Sequence, residues 1–279
     1  MKQFISVIYI YIFTILLIII PIEVYNIATS SYSENIAGSE VIVAVRVSKT
    51  KTNKKVKKLI LGDSTGRALY PSENTYDSIV SLACNQAITM AGHYFLLKNY
   101  IETNNNNLPS EIVMLCTPST FSNNVDIFAY QYFLKPFPIN EYKSLYTKYL
   151  YGRIKTIPFY WTANLPLIQT SNYTPRISIP ENEERLCISK LSMEYLLKIV
   201  SITKEYNIPF KIQSTPVRED RVSIIENIKN DLRLACVEHL NVEIENYIQS
   251  IEFYPSNMFY DEVHLNDKDT PKDYLGVLN

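Results

Sequence analysis

The 279-residue chain has little glycine, little histidine and almost no excess of charge. It contains six Gly, three His and four Cys, and its formal net charge at pH 7 is −1. A near-neutral chain lacks the basic surface of a nucleic-acid-binding protein, so we expect no nucleic-acid partner. Four Cys are too few for a disulfide-built scaffold. The sequence has no glycine-rich phosphate loop and no metal-ligand spacing, so we predict no cofactor and no metal site.

A long uncharged run opens the chain. Residues 4–22 carry no charge and are rich in Ile, Leu, Phe and Tyr, and a membrane-spanning helix needs about 20 such residues. A cleaved signal peptide usually has an apolar stretch of ~7–15 residues and a small-residue cleavage site, which residues 28–31 match poorly. We therefore predict a single-pass membrane anchor over 1–23. A cleaved signal peptide and a buried helix of a soluble domain are the alternatives.

The orientation of this anchor follows weakly from the positive charges. Lys2 precedes the run, and the basic residues between Arg46 and Lys58 lie beyond the window in which such charges act. We expect the amino terminus inside and the soluble domain outside the cytoplasm, either periplasmic or at the cell surface. Residues 24–56 are predicted to be a linker with a short β segment at 41–47.

From residue 57 the pattern alternates between strands and helices. Such alternation indicates an α/β domain over 57–279, with a parallel sheet and helices on both of its faces. The predicted strands lie at 59–62, 79–83, 111–116 and 208–213, and the predicted helices at 89–103, 189–206 and 222–234, the second of them capped by Ser189.

An insertion at about 119–180 interrupts this alternation. It holds fourteen aromatic side chains, which either stack on a sugar or form a small core of their own. Cys84 follows the second predicted strand and Cys116 ends the third, and we expect the two to lie near the ends of neighbouring strands. A disulfide between the two is therefore conceivable outside the cytoplasm, and buried free thiols are the alternative.

The first chemical motif follows the first predicted strand. Leu59-Ile60-Leu61 leads into Gly62-Asp63-Ser64, and a helix can begin at once. This places the Ser64 hydroxyl at the carboxyl end of a strand, where open parallel sheets bind ligands. Backbone N–H groups at such a helix start can hold a developing oxyanion. A serine that merely caps the helix would give the same pattern.

The second motif lies near the carboxyl terminus, at Asp261-Glu262-Val263-His264. A serine nucleophile needs a base, and the base needs a carboxylate that orients it. Asp-x-x-His can place both groups on one short turn. The other two histidines fit this role less well, because His93 lies in an apolar helix and His239 has no acidic residue at a useful spacing.

Together, the two motifs resemble those of the SGNH/GDSL hydrolase superfamily over about residues 57–267. The resemblance implies a flavodoxin-like α/β/α fold and esterase or acyltransferase chemistry, with Ser64 as nucleophile, His264 as base and Asp261 as its orienting carboxylate. The anchor and the linking segments are also similar to an envelope subset, which includes the D-alanyl-lipoteichoic acid transfer protein and the alginate O-acetylation proteins.

The other two motifs of the superfamily differ in this chain. After the second strand, a glycine N–H normally enters the oxyanion hole, and here Asn85 stands near that place. After the third strand, Gly-x-Asn-Asp normally supplies an Asn donor, and here Ser119, or Asn123 slightly later, would have to replace it.

The sequence therefore predicts a membrane-anchored enzyme that hydrolyses or transfers an ester-linked acyl group, such as acetyl, on an envelope polysaccharide. Acylated carbohydrate and envelope assembly proteins are the expected partners. The alternative is a catalytically silent domain of the same fold that binds glycan or acts as a scaffold.

Overall fold

The computed structural model of the chain describes most of the soluble part and the amino-terminal helix. The predicted linker at 24–38, the second half of the insertion, His239 and two of the four Cys lie wholly or partly outside the described residues. The described residues are 2–29, 38–125, 130–157, 160–164, 188–235 and 240–276.

Helix α1, Lys2–Thr29, contains the uncharged run. Its span Lys2–Pro21 has a mean hydropathy of 2.7, and its side chains make no burying contacts with the rest of the protein. The helix is long and apolar enough to cross a membrane. A signal sequence has the same features, and the side of the membrane on which the domain lies is a separate matter.

The sheet that carries the site has four parallel strands in the order β2-β1-β3-β4. The predicted parallel sheet is thereby confirmed, and the polar turns after all four strands lie at one edge of it, which we call the carboxyl edge. The strands are β1 (Lys58–Gly62), β2 (Ile79–Ser81), β3 (Glu111–Cys116) and β4 (Phe210–Ser214).

Most of the predicted helices are also found. Helix α4 (Thr89–Thr103) has the predicted bounds, and α7 (Lys190–Glu205) begins after Ser189, whose Oγ accepts a hydrogen bond from Ser192 N at 3.0 Å, as a cap should. A small second sheet pairs β5 (Val217–Arg218) with β6 (Phe253–Tyr254). The helices after α1 are α2 (Ser39–Ser48), α3 (Ser64–Leu69), α4 (Thr89–Thr103), α5 (Ile139–Tyr142), α6 (Lys148–Lys155), α7 (Lys190–Glu205), α8 (Val222–Ala235) and α9 (Asn241–Gln249).

The predicted β segment at 41–47 is wrong, because these residues form helix α2. The run is rich in Val, which favours a strand. However, Val41, Ala44 and Ser48 recur at helical spacing and are buried, and α2 packs along α4. Burial of this helical face decides the structure over the intrinsic preference of Val.

The two faces of the sheet are covered unequally. The larger core lies on the face to which α4, α7 and α9 contribute. The other face presents Ile60, Val113 and Leu115, and the described residues that pack on it come from α3, the loop after it and the carboxyl-terminal segment around Tyr274. Among the described residues, the helix that packs on this face is α3, with six residues. The prediction of helices on both faces is therefore met only in part.

Aromatic residues of the insertion pack into the larger core and form no separate core among the described residues. Phe133, Phe137, Tyr142 and Tyr146 surround Phe95 of α4, with ring centroids 5.4–5.7 Å from it. For these residues the structure favours packing over sugar stacking.

The expectation that Cys84 and Cys116 lie near the ends of neighbouring strands is wrong. Both thiols are free and buried. Cys84 follows β2, Cys116 is the last residue of β3, and β1 lies between these two strands. Two strand spacings amount to about 9–10 Å, which is more than a disulfide spans.

Candidate active site

The structure brings Ser64, His264 and Asp261 into one chain of hydrogen bonds. His264 Nε2 lies 3.0 Å from Ser64 Oγ, and His264 Nδ1 lies 2.8 Å from Asp261 Oδ2. The imidazole is 19% exposed, so it is accessible without being free to rotate into solvent. This is the geometry in which a histidine can take the proton of a serine hydroxyl while a carboxylate holds its other nitrogen.

The backbone places Ser64 between a buried strand and a helix. Ser64 is the first residue of α3, and Asp63 caps this helix by accepting from Thr65 N at 2.9 Å and Gly66 N at 3.2 Å. Arg67 N donates to Asp63 O. Among the described residues, the Ser64 N–H has no acceptor, so it is the amide of this turn that a ligand can use.

Two of the six glycines are required by this turn. A Cβ on Gly62 would lie 2.3 Å from Leu115 O, and a Cβ on Gly66 would lie 2.6 Å from the same atom. Because that oxygen belongs to the backbone of β3, neither clash can be relieved by a side-chain rotation. The glycines therefore allow the Ser64 turn to sit directly against the neighbouring strand.

Sequence reasoning did not assign a role to Asp63, which joins three of the four strand ends. Its side chain is buried and accepts six hydrogen bonds. Thr65 in turn shares a 2.8 Å hydroxyl contact with Thr215, which follows β4. An acidic residue directly after a buried strand was the available signal. The donors to Oδ1 are Thr65 N, Thr65 Oγ1 and Gly66 N, and those to Oδ2 are Thr117 N, Thr117 Oγ1 and Thr120 Oγ1.

The Asp261–His264 segment is a tight turn built by the carboxylate itself. Asp261 Oδ1 accepts from Val263 N at 2.8 Å and from His264 N at 2.7 Å, which leaves Oδ2 for the imidazole. Burial of Asp261 acts to raise its pKa, but these backbone donors and the imidazole outweigh it and hold the pKa below the usual value of an Asp. The carboxylate is therefore ionised where it faces the histidine.

A second feature missed by sequence reasoning is Arg218, at the end of β5. Its Nη1 donates to the backbone O of Asp261 at 3.0 Å, and Asp220 holds its guanidinium from the other side. Arg221 forms an ion pair with Glu262 at 2.6 Å. These contacts fasten the turn that carries His264, and only the fold brings together residues that lie 43 and 41 positions apart in the sequence.

The predicted oxyanion residue Asn85 lies beside β1. Cys84 N donates to Gly62 O at 3.0 Å, so the segment after β2 continues along the strand that leads to Ser64. The Asn85 side chain is half-buried and caps the short turn Gln86–Ile88 by accepting from Ala87 N at 2.9 Å. Because Asn85 lies beside the strand that leads to Ser64, it remains a candidate donor to the oxyanion.

The predicted donor Ser119 lies after β3, at the same edge, and is exposed. Its Oγ is 2.9 Å from Thr117 Oγ1. Because Thr117 donates its own proton to Asp63, Ser119 must donate to Thr117 in this arrangement. Asn123 donates its amide to Gln86 O at 3.3 Å. Ser119 thus makes a hydrogen bond within its own loop and Asn123 makes one to the loop after β2, and using either group for a ligand would break its bond.

A narrow cleft adjoins the imidazole, with about 230 Å³ of empty space including the part open to solvent. Thr65 and Leu69 line one side, and Val263, His264 and Leu265 line the other. Ser64 is not among the residues that line this space, so its size does not select an acyl group.

His93 does not belong to the site. It is fully buried in α4, and neither ring nitrogen has a hydrogen-bond partner. Burial lowers the pKa of His93 to about 4, against a smaller opposing effect of Asp63. Among the described residues, no three or more His, Cys, Asp and Glu side chains are grouped so that they could hold a metal ion.

Comparison of the chain with protein-family models, with curated proteins and with solved structures gives no match.

Proposed function

We propose that the protein is a serine-dependent enzyme that hydrolyses or transfers an ester-linked acyl group on an envelope polysaccharide. The observation that carries this proposal is the chain of contacts from Ser64 Oγ through the His264 imidazole to Asp261. A serine that only caps a helix needs neither a histidine at 3.0 Å nor a carboxylate behind it.

The reaction proceeds in two steps. Ser64 Oγ attacks the acyl carbonyl carbon while His264 Nε2 takes the hydroxyl proton. The ester C–O bond to the sugar then breaks, and His264 returns the proton to the leaving sugar oxygen. Water or another sugar hydroxyl attacks the acyl-serine, with His264 as base, and releases Ser64 as the free hydroxyl.

The negative charge that develops on the carbonyl oxygen needs donors. The Ser64 N–H, which has no acceptor among the described residues, is one, and Asn85 supplies the second in this proposal.

The finer fold assignment is part of the same proposal. The strand order β2-β1-β3-β4 with all strands parallel is the order of a flavodoxin-like sheet. In the SGNH-type fold the nucleophile follows the first strand and the base lies near the carboxyl terminus, as Ser64 and His264 do here. Helix α1 supports a single-pass anchor, and the proposal places the domain outside the cytoplasm.

A catalytically silent SGNH-like scaffold is the second candidate, and one observation favours it. Ser119 and Asn123, which would have to replace the missing Asn donor, already make hydrogen bonds to Thr117 and to Gln86 O. An oxyanion hole with too few donors would leave the triad unable to stabilise the transition state.

The test uses a fluorophosphonate probe and a simple aryl acetate with the full-length protein in detergent. Ser64→Ala and His264→Ala should each reduce turnover by about 10³-fold or more, and the double variant should lose little beyond that, because the residues act as a unit. Asp261→Asn should cost less. Only a reactive Ser64 should be labelled by the probe.

Ser122→Ala is the matched control, since Ser122 is an exposed serine at the same edge whose hydroxyl donates only to Ser119 O at 2.8 Å. It should leave labelling and turnover unchanged. A folded wild-type protein that is neither labelled nor active would refute the enzyme and leave the scaffold.

A further inference from the structure

An exposed aromatic ring stands beside the imidazole of His264. The ring of Tyr260 is nearly parallel to that of His264, with an angle of 12° between the two planes and 5.5 Å between the centroids. Tyr260 is 65% exposed, and its hydroxyl makes no hydrogen bond with any described residue. The imidazole thus covers part of one face of the tyrosine ring and leaves the other face to solvent.

The backbone holds this pair of rings together. Phe259 and Leu265 form an antiparallel bridge, so residues 259–265 make a short hairpin. Within it, Tyr260 N donates to His264 O at 3.0 Å. Successive side chains of paired strands point to opposite faces, and Phe259 and Leu265 are buried. Tyr260 and His264 therefore share the other face, and the ring is in place before a ligand arrives, which lowers the cost of binding one.

The proposed reaction brings the sugar next to this ring. His264 Nε2 returns the proton to the leaving sugar oxygen, so the sugar lies against the edge of the imidazole, beside Tyr260. The face of an aromatic ring carries partial negative charge. A pyranose whose substituents are equatorial presents C–H hydrogens to such a face, so the two surfaces are complementary.

The charges near Tyr260 bear on which sugar it can take. Burial raises the pKa of the Tyr260 hydroxyl, and Asp261 and Asp267 add to that rise, so both carboxylates lie close to it. Asp267 is exposed and makes neither an ion pair nor a hydrogen bond with any described residue. It can therefore accept hydrogen bonds from sugar hydroxyls, whereas it repels a sugar carboxylate.

The basic residues of this region do not offset these carboxylates. Arg218 is held by Asp220, and Arg221 by Glu262. Lys268 is exposed, but it is not among the groups that change the pKa of the Tyr260 hydroxyl. Among the described residues, an anionic sugar such as a uronate thus meets negative charge at the ring.

We propose that Tyr260 and Asp267 form the subsite for the sugar that carries the acyl ester, and that this sugar is an uncharged pyranose with equatorial substituents. The pyranose stacks on the open face of Tyr260, and one of its hydroxyls donates to Asp267. That this sugar is the substrate rests on the proposed function of Ser64, whereas its binding to the subsite does not require Ser64 to react.

Binding is measured by titration calorimetry with the full-length Ser64→Ala protein in detergent, so that no turnover interferes. The probes are cellohexaose and the hexamer of β-1,4-linked glucuronic acid, which differs from it by a carboxylate on each ring. Cellohexaose should bind about tenfold more tightly than the glucuronate hexamer. Tyr260→Leu should weaken binding of cellohexaose by about tenfold or more, because leucine has no flat face, and Tyr260→Phe by less than about threefold.

Two further variants complete the binding experiment. Tyr151→Leu is the matched control, because Tyr151 is an exposed tyrosine of α6 whose ring lies under Lys155 Nζ. It should leave binding of cellohexaose unchanged. Asp267→Asn keeps an oxygen that accepts a hydrogen bond and removes the charge, so it should bring the affinities for the two hexamers about threefold or more closer together.

The reaction is then followed with Ser64 present, on O-acetylated cellohexaose and on trifluoroethyl acetate, which has no ring to stack. The ratio of kcat/KM for the acetylated sugar to kcat/KM for trifluoroethyl acetate should fall about tenfold or more in Tyr260→Leu and stay within about threefold in Tyr260→Phe. Because both esters use His264, a displaced imidazole would lower both values and leave the ratio unchanged. A ratio that Tyr260→Leu does not change overturns the subsite.

The outcomes separate the subsite from the proposed function. If cellohexaose does not bind the Ser64→Ala protein, or binds equally well after Tyr260→Leu, the subsite is wrong. If the glucuronate hexamer binds as tightly as cellohexaose, the class of sugar is wrong. If cellohexaose binds through Tyr260 but neither ester is turned over, the subsite stands and the proposed function fails.

Discussion

The buried carboxylate of Asp63 gives the sharpest prediction about the construction of the site. It accepts six hydrogen bonds, of which three come from backbone N–H groups and three from hydroxyls. A hydroxyl can rotate and accept instead of donating, but a backbone N–H cannot. Asp63→Asn and Asp63→Ala should therefore differ in cost by the number of N–H groups that each variant leaves without an acceptor.

Asn replaces one oxygen by an NH₂ group. Placed on the Thr117 side, this group leaves only Thr117 N unpaired, whereas on the other side it would leave both Thr65 N and Gly66 N unpaired. The variant should adopt the first arrangement and lose about 1–3 kcal/mol of unfolding free energy, the cost of one buried donor. Ala leaves all three donors unpaired, so about three times that loss is expected, which approaches the whole stability of many domains.

The assay is urea unfolding of the full-length protein in detergent at neutral pH, followed by circular dichroism, with probe labelling of Ser64 in parallel. Asp77→Asn is the control, because the Asp77 side chain is fully exposed and its ion pair with Lys54 is long, at 3.7 Å. This substitution should change the free energy of unfolding by no more than about 0.5 kcal/mol. If Asp63→Asn costs as much as Asp63→Ala, or if both resemble Asp77→Asn, the counting of unpaired N–H groups is refuted.

Two further predictions concern His93 and the glycines. The pKa of His93 is about 4 in the folded protein and near 6.5 in the unfolded chain. Between these values the unfolded state binds more protons, so the free energy of unfolding falls as the pH drops below about 6.5, by up to about 3 kcal/mol. His93→Leu should remove this acid sensitivity and be neutral or stabilising near pH 7, since both ring nitrogens lack partners; an unchanged slope of unfolding free energy against pH would contradict this. Gly66→Ala should destabilise the fold through its clash with Leu115 O, whereas Gly152→Ala, in α6 with nothing within 4 Å of the added Cβ, should gain about 0.4–1 kcal/mol; equal effects in urea unfolding would show that helix propensity alone decides.

The parts of the fold that local signals determine were predictable from the sequence. Helix α4 and strand β3 have the predicted bounds, and Ser189 caps α7 as predicted. Each of these elements combines a clear apolar period with a polar residue or turn at its end. The polar turns after the strands could also be assigned to one edge, because all the strands are parallel.

The parts that depend on contacts between distant residues were not predictable. Residues 39–48 form helix α2 because its buried face packs against α4, and the Val-rich sequence of this segment does not indicate that contact. Asp63 could be recognised as a helix cap, but its donors Thr117 and Thr120 come from another loop. Arg218 reaches Asp261 only because β5 pairs with β6.

The contacts that position the nucleophile and the base do not depend on the Ser64 hydroxyl, and this makes the Ser64 test clean. Ser64 is held by the cap of α3 and the network of Asp63. The segment that carries His264 is fastened before the histidine by Arg218 and after it by Tyr274, whose hydroxyl donates to Ser214 O at 3.0 Å. Neither support includes the Ser64 hydroxyl. Removing that hydroxyl therefore deletes the attacking atom without moving the imidazole, so a loss of turnover in Ser64→Ala reports on nucleophilic attack and not on a displaced base.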